Sequence, residues 1–128
     1  MDEPIWLNRQ VVEIIHLEQI AEHGGRPGLR AGNLLESALA RPRQLLTYQE
    51  GVTLPRLAAV LCIGIARNHP FVDANKPMAL LPTYAFLRAN GRELDADEME
   101  AAETIESVAG GGLDELALTD WIADHIGG

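Results

Sequence analysis

The sequence predicts an all-α fold, one compact domain of about six helices spanning residues 1–128. Three observations carry that prediction. Apolar residues recur at helical spacing along most of the chain, Gly and Pro punctuate the runs, and no convincing strand, internal repeat or domain linker appears. A chain of 128 residues suits a single core, and 47% hydrophobic content with 23% charged residues argues against disorder.

The first helix is expected from about Asn8 to Glu22, with Val11, Ile14 and Ile15 as its apolar stripe and Gly24-Gly25 as its stop. Arg26-Pro27-Gly28 continues as a loop. Asn33 and Glu36 have capping-box spacing, and Leu34, Leu35, Ala38 and Leu39 supply a buried face for a second helix. That helix should stop before Pro42. A loop around Thr47-Tyr48-Gln49-Glu50-Gly51 follows. From Pro55 to about Asn68 the sequence is apolar on nearly every side, as in a central buried helix. After the turn at His69–Lys76, a further helix is expected from about Pro77 to Ala89, ending near Asn90-Gly91. Asp95 and Glu98 repeat the capping-box spacing and open a helix to about Ala109. Gly110-Gly111-Gly112 breaks the chain, and Asp114 caps a last helix anchored by Leu116, Trp121, Ile122 and Ile126.

The formal net charge is -9, with an isoelectric point near 4.8, which argues against a large nucleic-acid footprint on this chain. The balance suits either simple solubility or a basic protein partner. One cysteine, Cys62, rules out an internal disulfide, and its apolar surroundings predict a buried, inert thiol. Met1-Asp2-Glu3-Pro4 lacks the basic start of a signal peptide, and the longest apolar run, Leu57 to Ala66, is too short to cross a bilayer. A cytoplasmic protein without membrane contact is the expectation.

Chemistry concentrates in His69-Pro70-Phe71-Val72-Asp73-Ala74-Asn75-Lys76, just before an apolar helical run. Lys76 is the only lysine of the chain. A histidine changes charge near neutral pH and can accept a proton from a hydroxyl nucleophile, which makes His69 a candidate base. Asp73 is suited to magnesium, which prefers carboxylate and phosphate oxygens. Asn75 and Lys76 are donors fit for phosphate oxygens, and the free N–H groups of the following helix open into the same space. Pro70 and Phe71 read as stiffener and core anchor. A base, a metal ligand and an anion nest together suggest transfer of a phosphate-containing group. A metal-hydrolase reading lacks a second ligand, because His16, His23 and His125 lie far off in sequence without ligand-like spacing.

This stretch resembles the signature of the Fic/Doc (Fido) family, in the shortened form of its Doc branch, the death-on-curing toxins. Further segments resemble that branch: Ala21-Glu22-His23-Gly24-Gly25, Gly28-Leu29-Arg30, and Leu34-Leu35-Glu36-Ser37-Ala38-Leu39-Ala40-Arg41-Pro42. So do Gly64-Ile65-Ala66-Arg67-Asn68 and Ala85-Phe86-Leu87-Arg88-Ala89-Asn90-Gly91, and the likeness covers essentially the whole chain.

The resemblance implies a compact helical fold with the motif loop between two central helices, and a toxin paired with a small Phd-like antitoxin. It implies a protein kinase that binds ATP inverted and moves the γ-phosphate, with magnesium, to a threonine of elongation factor Tu, arresting translation. Most Fic relatives instead transfer AMP; where their longer motif has glycine after the asparagine, the Doc branch has lysine, as here at Lys76. Position by position, the resemblance makes His69 the base, Asp73 the residue that orients magnesium and nucleotide, and Asn75 and Lys76 phosphate holders. Arg67 becomes a further phosphate or substrate contact, and contact with nucleic acid would come only through the antitoxin.

The Doc pattern continues with arginine and a small polar residue, whereas this chain has Pro77 and Met78. Proline removes both a guanidinium and a backbone N–H from the anion site, so weakened or lost transfer is the expectation. The fold should tolerate Pro77, whose missing N–H has no intrahelical partner in a first turn. Pro77 should also bias Lys76 away from helical angles. Pro82 should kink or offset the helix after the motif, and Met78, Leu80 and Leu81 read as core. AMP transfer of the Fic type and a non-catalytic antitoxin-binding module stand as alternatives.

Overall fold

The computed structural model describes residues 3–127. Of the segment Met1-Asp2-Glu3-Pro4 read above for a signal peptide, Met1 and Asp2 lie outside them. Six helices follow in order: α1 (Arg9–His23), α2 (Gly32–Tyr48), α3 (Leu54–Asn68), α4 (Asn75–Ala89), α5 (Glu98–Ala109) and α6 (Glu115–His125). Strands β1 (Glu93–Leu94) and β2 (Ile126–Gly127) pair antiparallel. Among the described residues, no helix is long and apolar enough to cross a membrane.

Helix α3 is the axis. The Thr53 side chain accepts from the Arg56 N–H at its start, satisfying a donor that the first turn leaves unpaired. Every residue from Leu57 to Ala66 is buried, because α2, α4, α5 and α6 all pack against this helix. An amphipathic stripe would leave one of those neighbours facing polar side chains, which is why the sequence is apolar all round here. Cys62 lies in this stretch, and burial pushes its thiol up to about 12, leaving it inert.

Gly64 sets the α2–α3 distance. A Cβ built there would lie 3.2 Å from both Cα and Cβ of Ala38. Gly64→Val is therefore expected to lower the unfolding free energy by about 1–3 kcal/mol, the range for overpacking a filled core. Urea denaturation would measure this, and an unchanged midpoint would refute the close packing.

Helix α2 departs from expectation at both ends. It does not stop before Pro42 but runs to Tyr48, with Pro42 buried inside it. Proline in a helix interior costs roughly 3 kcal/mol. The continued turns offset this by laying Leu45 and Leu46 against the core. Nor is Asn33 the cap: Ala31 holds that position without a side-chain hydrogen bond. Glu36, expected to reach back to the cap, is instead 2.6 Å from the Arg9 guanidinium of α1.

The buried face of α1 is also offset. Val11 and Ile14 are exposed, whereas Val12 and His16 are buried. The N-cap is Asn8, whose side chain accepts from Val11 N–H at 2.9 Å. On α5 the cap is Asp97 rather than Asp95, because Asp95 N–H donates to the His125 carbonyl and extends the short β pairing. Two-residue strands carry no periodicity, so nothing in the sequence announced them. Asp114 does cap α6, accepting from Ala117 N–H at 2.8 Å. Of the anchors expected on α6, Ile122 is buried and Leu116 is exposed, its place in the core being taken by Leu118.

Helix α4 runs unbroken through Pro82, which is buried. It begins at Asn75, earlier than expected, so Lys76 is helical despite the following proline. Met78 is core as expected, while Leu80 and Leu81 are only partly buried.

Candidate active site

The motif joins the end of α3 to the start of α4, and two strained residues frame it. His69 caps α3 in the left-handed conformation (φ 48°, ψ 59°), and Ala74 precedes α4 in the same region (φ 67°, ψ 29°). Left-handed backbone costs a non-glycine residue roughly 1–2 kcal/mol, so the surroundings must hold both. Between them Pro70 and Phe71 are buried, and His69 is exposed at the rim. Sequence reasoning anticipated Phe71 as the core anchor.

Three sets of contacts hold the loop. Asn75 turns back on it: its Oδ1 accepts from Phe71 N–H at 3.0 Å, and its Nδ2 donates to Phe71 carbonyl at 2.8 Å. The carboxamide expected to meet phosphate is thus engaged in shaping the loop. Residues Gly28–Arg30 pair with the loop like a strand. Arg30 N–H donates to the Pro70 carbonyl at 2.8 Å and Val72 N–H to the Gly28 carbonyl at 3.0 Å. Arg30 also donates from Nη1 to the His69 carbonyl at 2.9 Å, steadying the backbone that presents the imidazole.

Asp73 forms the third set. Its Oδ2 accepts from Arg26 N–H at 2.7 Å, and its carbonyl accepts from His16 Nε2 at 3.0 Å. Gly25 sits against it at φ +115°, and a Cβ there would lie 3.4 Å from the Asp73 Cβ. Only glycine takes this backbone conformation readily.

Lys76 points away from the loop. Its Nζ lies 2.7 Å from Glu106 Oε1 on α5, and both side chains are at least half exposed. Such an exposed pair contributes little and breaks readily. Arg67 is exposed in the last turn of α3 and makes no ion pair among the described residues. The segments meeting at the loop carry Arg26, Arg30, Arg67 and Lys76, four of the ten basic residues of a chain whose net charge is -9. Two of these are already engaged, Arg30 with the His69 carbonyl and Lys76 with Glu106.

The arrangement can hold a nucleotide more readily than a bare metal. No group of three His, Cys, Asp or Glu side chains able to bind an ion occurs among the described residues. A carboxylate with one oxygen engaged fits magnesium shared with phosphates, which suits an ion that rarely takes an all-protein cage.

Beside the loop, α1, α4 and α5 enclose a groove of about 390 Å³, lined by Lys76, Pro77, Leu80, Leu81 and Tyr84 among others. Burial, with smaller contributions from Cys62 and Glu98, raises the pKa of the Tyr84 hydroxyl.

The sequence profile described as the Fic/DOC family matches residues 6–87, a span that contains the loop, all three sets of contacts and the whole of α3. This chain belongs to the Fic/Doc family. It is 31% identical over 106 residues to the protein kinase doc of Escherichia phage P1, covering 83% of each chain. It is 39% identical over 108 residues to the toxin Doc of Mycolicibacterium smegmatis, covering 80% of this chain and 75% of that one. The Fic/Doc segments recognised in the sequence meet in space: Gly28–Arg30 lies on Pro70–Val72, and Gly64 lies against Ala38.

His16 and Arg30 are the site residues that sequence reasoning missed. Arg30 lay within a recognised segment but received no role. His16 was set aside for its distance in sequence, yet it shares the buried face of α1 with Val12, four residues earlier. A polar residue on a buried helical face is the signal that could have found it.

Proposed function

We propose that this protein is a Doc-type toxin that transfers the γ-phosphate of ATP to a threonine of elongation factor Tu and so arrests translation. The observation that carries the reading is His69, exposed at the loop rim with its backbone held by Arg30 and by the cap of α3. The named kinase activity of the phage P1 relative supports the choice of phosphate over AMP. The reading takes residues 1–128 as one functional domain, supported by a continuous buried core.

In this mechanism His69 accepts the proton of the threonine hydroxyl as that oxygen attacks the γ-phosphorus. The bond from the γ-phosphorus to the bridging oxygen breaks, and ADP leaves. Asp73 would hold the magnesium ion that travels with the nucleotide and neutralises its phosphates. Lys76, freed from Glu106, would swing to the phosphates with Arg67 beside it. Asn75 serves by keeping Phe71 and the loop in shape, with the remaining N–H of its carboxamide open to phosphate.

The antitoxin of a toxin pair would lay its helical tail in the groove between α1, α4 and α5. Its floor of Leu80, Leu81 and Tyr84 suits an apolar helix face, and Lys76 at its edge would be covered by that tail. The toxin name of the Mycolicibacterium relative supports such a partner.

Isotope placement tests the reading. The protein and its Pro77→Arg variant are incubated with purified elongation factor Tu and ATP labelled at the α or the γ position. Label on threonine from γ alone is expected. Label from α would make the protein an AMP transferase, and none from either variant would leave a non-catalytic module.

A further inference from the structure

His16 is one of two polar side chains buried in the described core, at 2% exposure. The other, Thr83, is satisfied within its own helix through the Ala79 carbonyl. His16 instead reaches from α1 to the motif loop, 57 positions along the chain. Its ring lies flat on Phe71, with centroids 4.0 Å apart and planes 16° apart. A carbonyl only accepts, so the Nε2 that meets Asp73 carries a hydrogen and donates it.

We propose that His16 is a positioning residue for the transfer reaction, acting through the peptide that joins Asp73 to Ala74; this rests on the reading above. That peptide is the unstable point of the loop. Ala74 follows it in the left-handed conformation, which an alanine leaves unless held. Turning the peptide over would relieve that strain. It would also withdraw the Asp73 carbonyl from His16 and leave the turn that carries the Asp73 carboxylate to Arg26 less firmly held. The same turn leads directly into α4, whose first helical hydrogen bond runs from Met78 N–H to the Ala74 carbonyl. The donor of His16 opposes that turn, and the stack on Phe71 keeps the ring where the donor is useful. A leucine or phenylalanine could fill the space, but neither could hold the carbonyl.

Two variants separate donor from packing. His16→Phe keeps an aromatic ring against Phe71 and removes the donor, whereas His16→Gln supplies an amide donor and removes the ring. Amide hydrogen exchange followed by NMR on the full chain reads the loop through Arg26 N–H and Phe71 N–H, which donate to the Asp73 and Asn75 side chains. In His16→Phe both should exchange roughly tenfold faster or more while α3 amides keep their protection. The kcat of γ-phosphate transfer should fall roughly tenfold or more, and His16→Gln should recover most of both losses.

Unchanged exchange in His16→Phe, or equal acceleration in His16→Gln, would overturn the proposal. So would a kcat of His16→Phe within about twofold of the parent, since the histidine would then be core packing only. If neither the parent nor its Pro77→Arg form transfers γ-phosphate, the functional reading fails by itself. The exchange rates then decide whether His16 positions the loop.

Discussion

Replacing His69 by asparagine is expected to cut γ-phosphate transfer by roughly a hundred- to ten-thousand-fold, the span that a positioned general base contributes. Folding stability should stay within about 0.5 kcal/mol of the parent. The choice of asparagine follows from the backbone. His69 caps α3 at φ 48°, and asparagine is the residue other than glycine that accepts this region most readily. Asparagine also leaves the His69 carbonyl where Arg30 donates to it. Alanine should lose the same activity but add roughly 1 kcal/mol of left-handed strain, mixing two effects. Initial rates with γ-labelled ATP, set against urea midpoints for both variants, make the separation. A rate within tenfold of the parent for His69→Asn would remove the imidazole from the chemistry.

Pro77→Arg is expected to act in the opposite direction, raising transfer by roughly a hundredfold. That is the size of effect seen when one preorganised donor to a transition-state charge is added or removed. Pro77 is the third residue of α4, and the first helical hydrogen bond belongs to Met78, donating to Ala74. The N–H that proline lacks would therefore have no helical partner, so the fold gains little from the change. The anion site gains twice, by a guanidinium and by one more N–H at the helix start. The same substitution places a fifth basic residue among the segments that meet at the loop. Rates of both proteins at matched ATP, with midpoints of unfolding, check the expectation. Equal rates would show that position 77 does not reach the phosphates.

Helices α3, α4 and α6 were legible because their signals are local. Continuous apolar sequence marks α3, Asn90-Gly91 ends α4, and Asp114 caps α6. The errors came where a local signal met a stronger distant one. Pro42 is a strong stop, yet the packing of Leu45 and Leu46 carried α2 past it. Asn33 and Glu36 have the spacing of a capping box, but Arg9 of α1 took Glu36. Asp95 was drawn into the pairing with the chain end, leaving Asp97 to cap α5.

The candidate site divides in the same way. Its candidate residues could be named because His69, Asp73, Asn75 and Lys76 are close in sequence. What each side chain does in the folded chain was not. Asn75 closes on Phe71, Lys76 pairs with Glu106, and Asp73 accepts from Arg26. Each of these bonds depends on where another segment passes, and spacing within the motif carries no information about that.

The sequence by itself determined that this chain is helical, that it is a Fic/Doc protein, and which short segment is its candidate site. Helical periodicity, helix stops and a contiguous motif are all written within a few neighbouring residues. Only the tertiary structure decided how the loop is held: by His16 from α1, by the strand-like Gly28–Arg30, and by the left-handed turns at His69 and Ala74. The reason is physical. A buried donor or a strained backbone is stabilised by whatever packs against it, and those partners lie dozens of residues away.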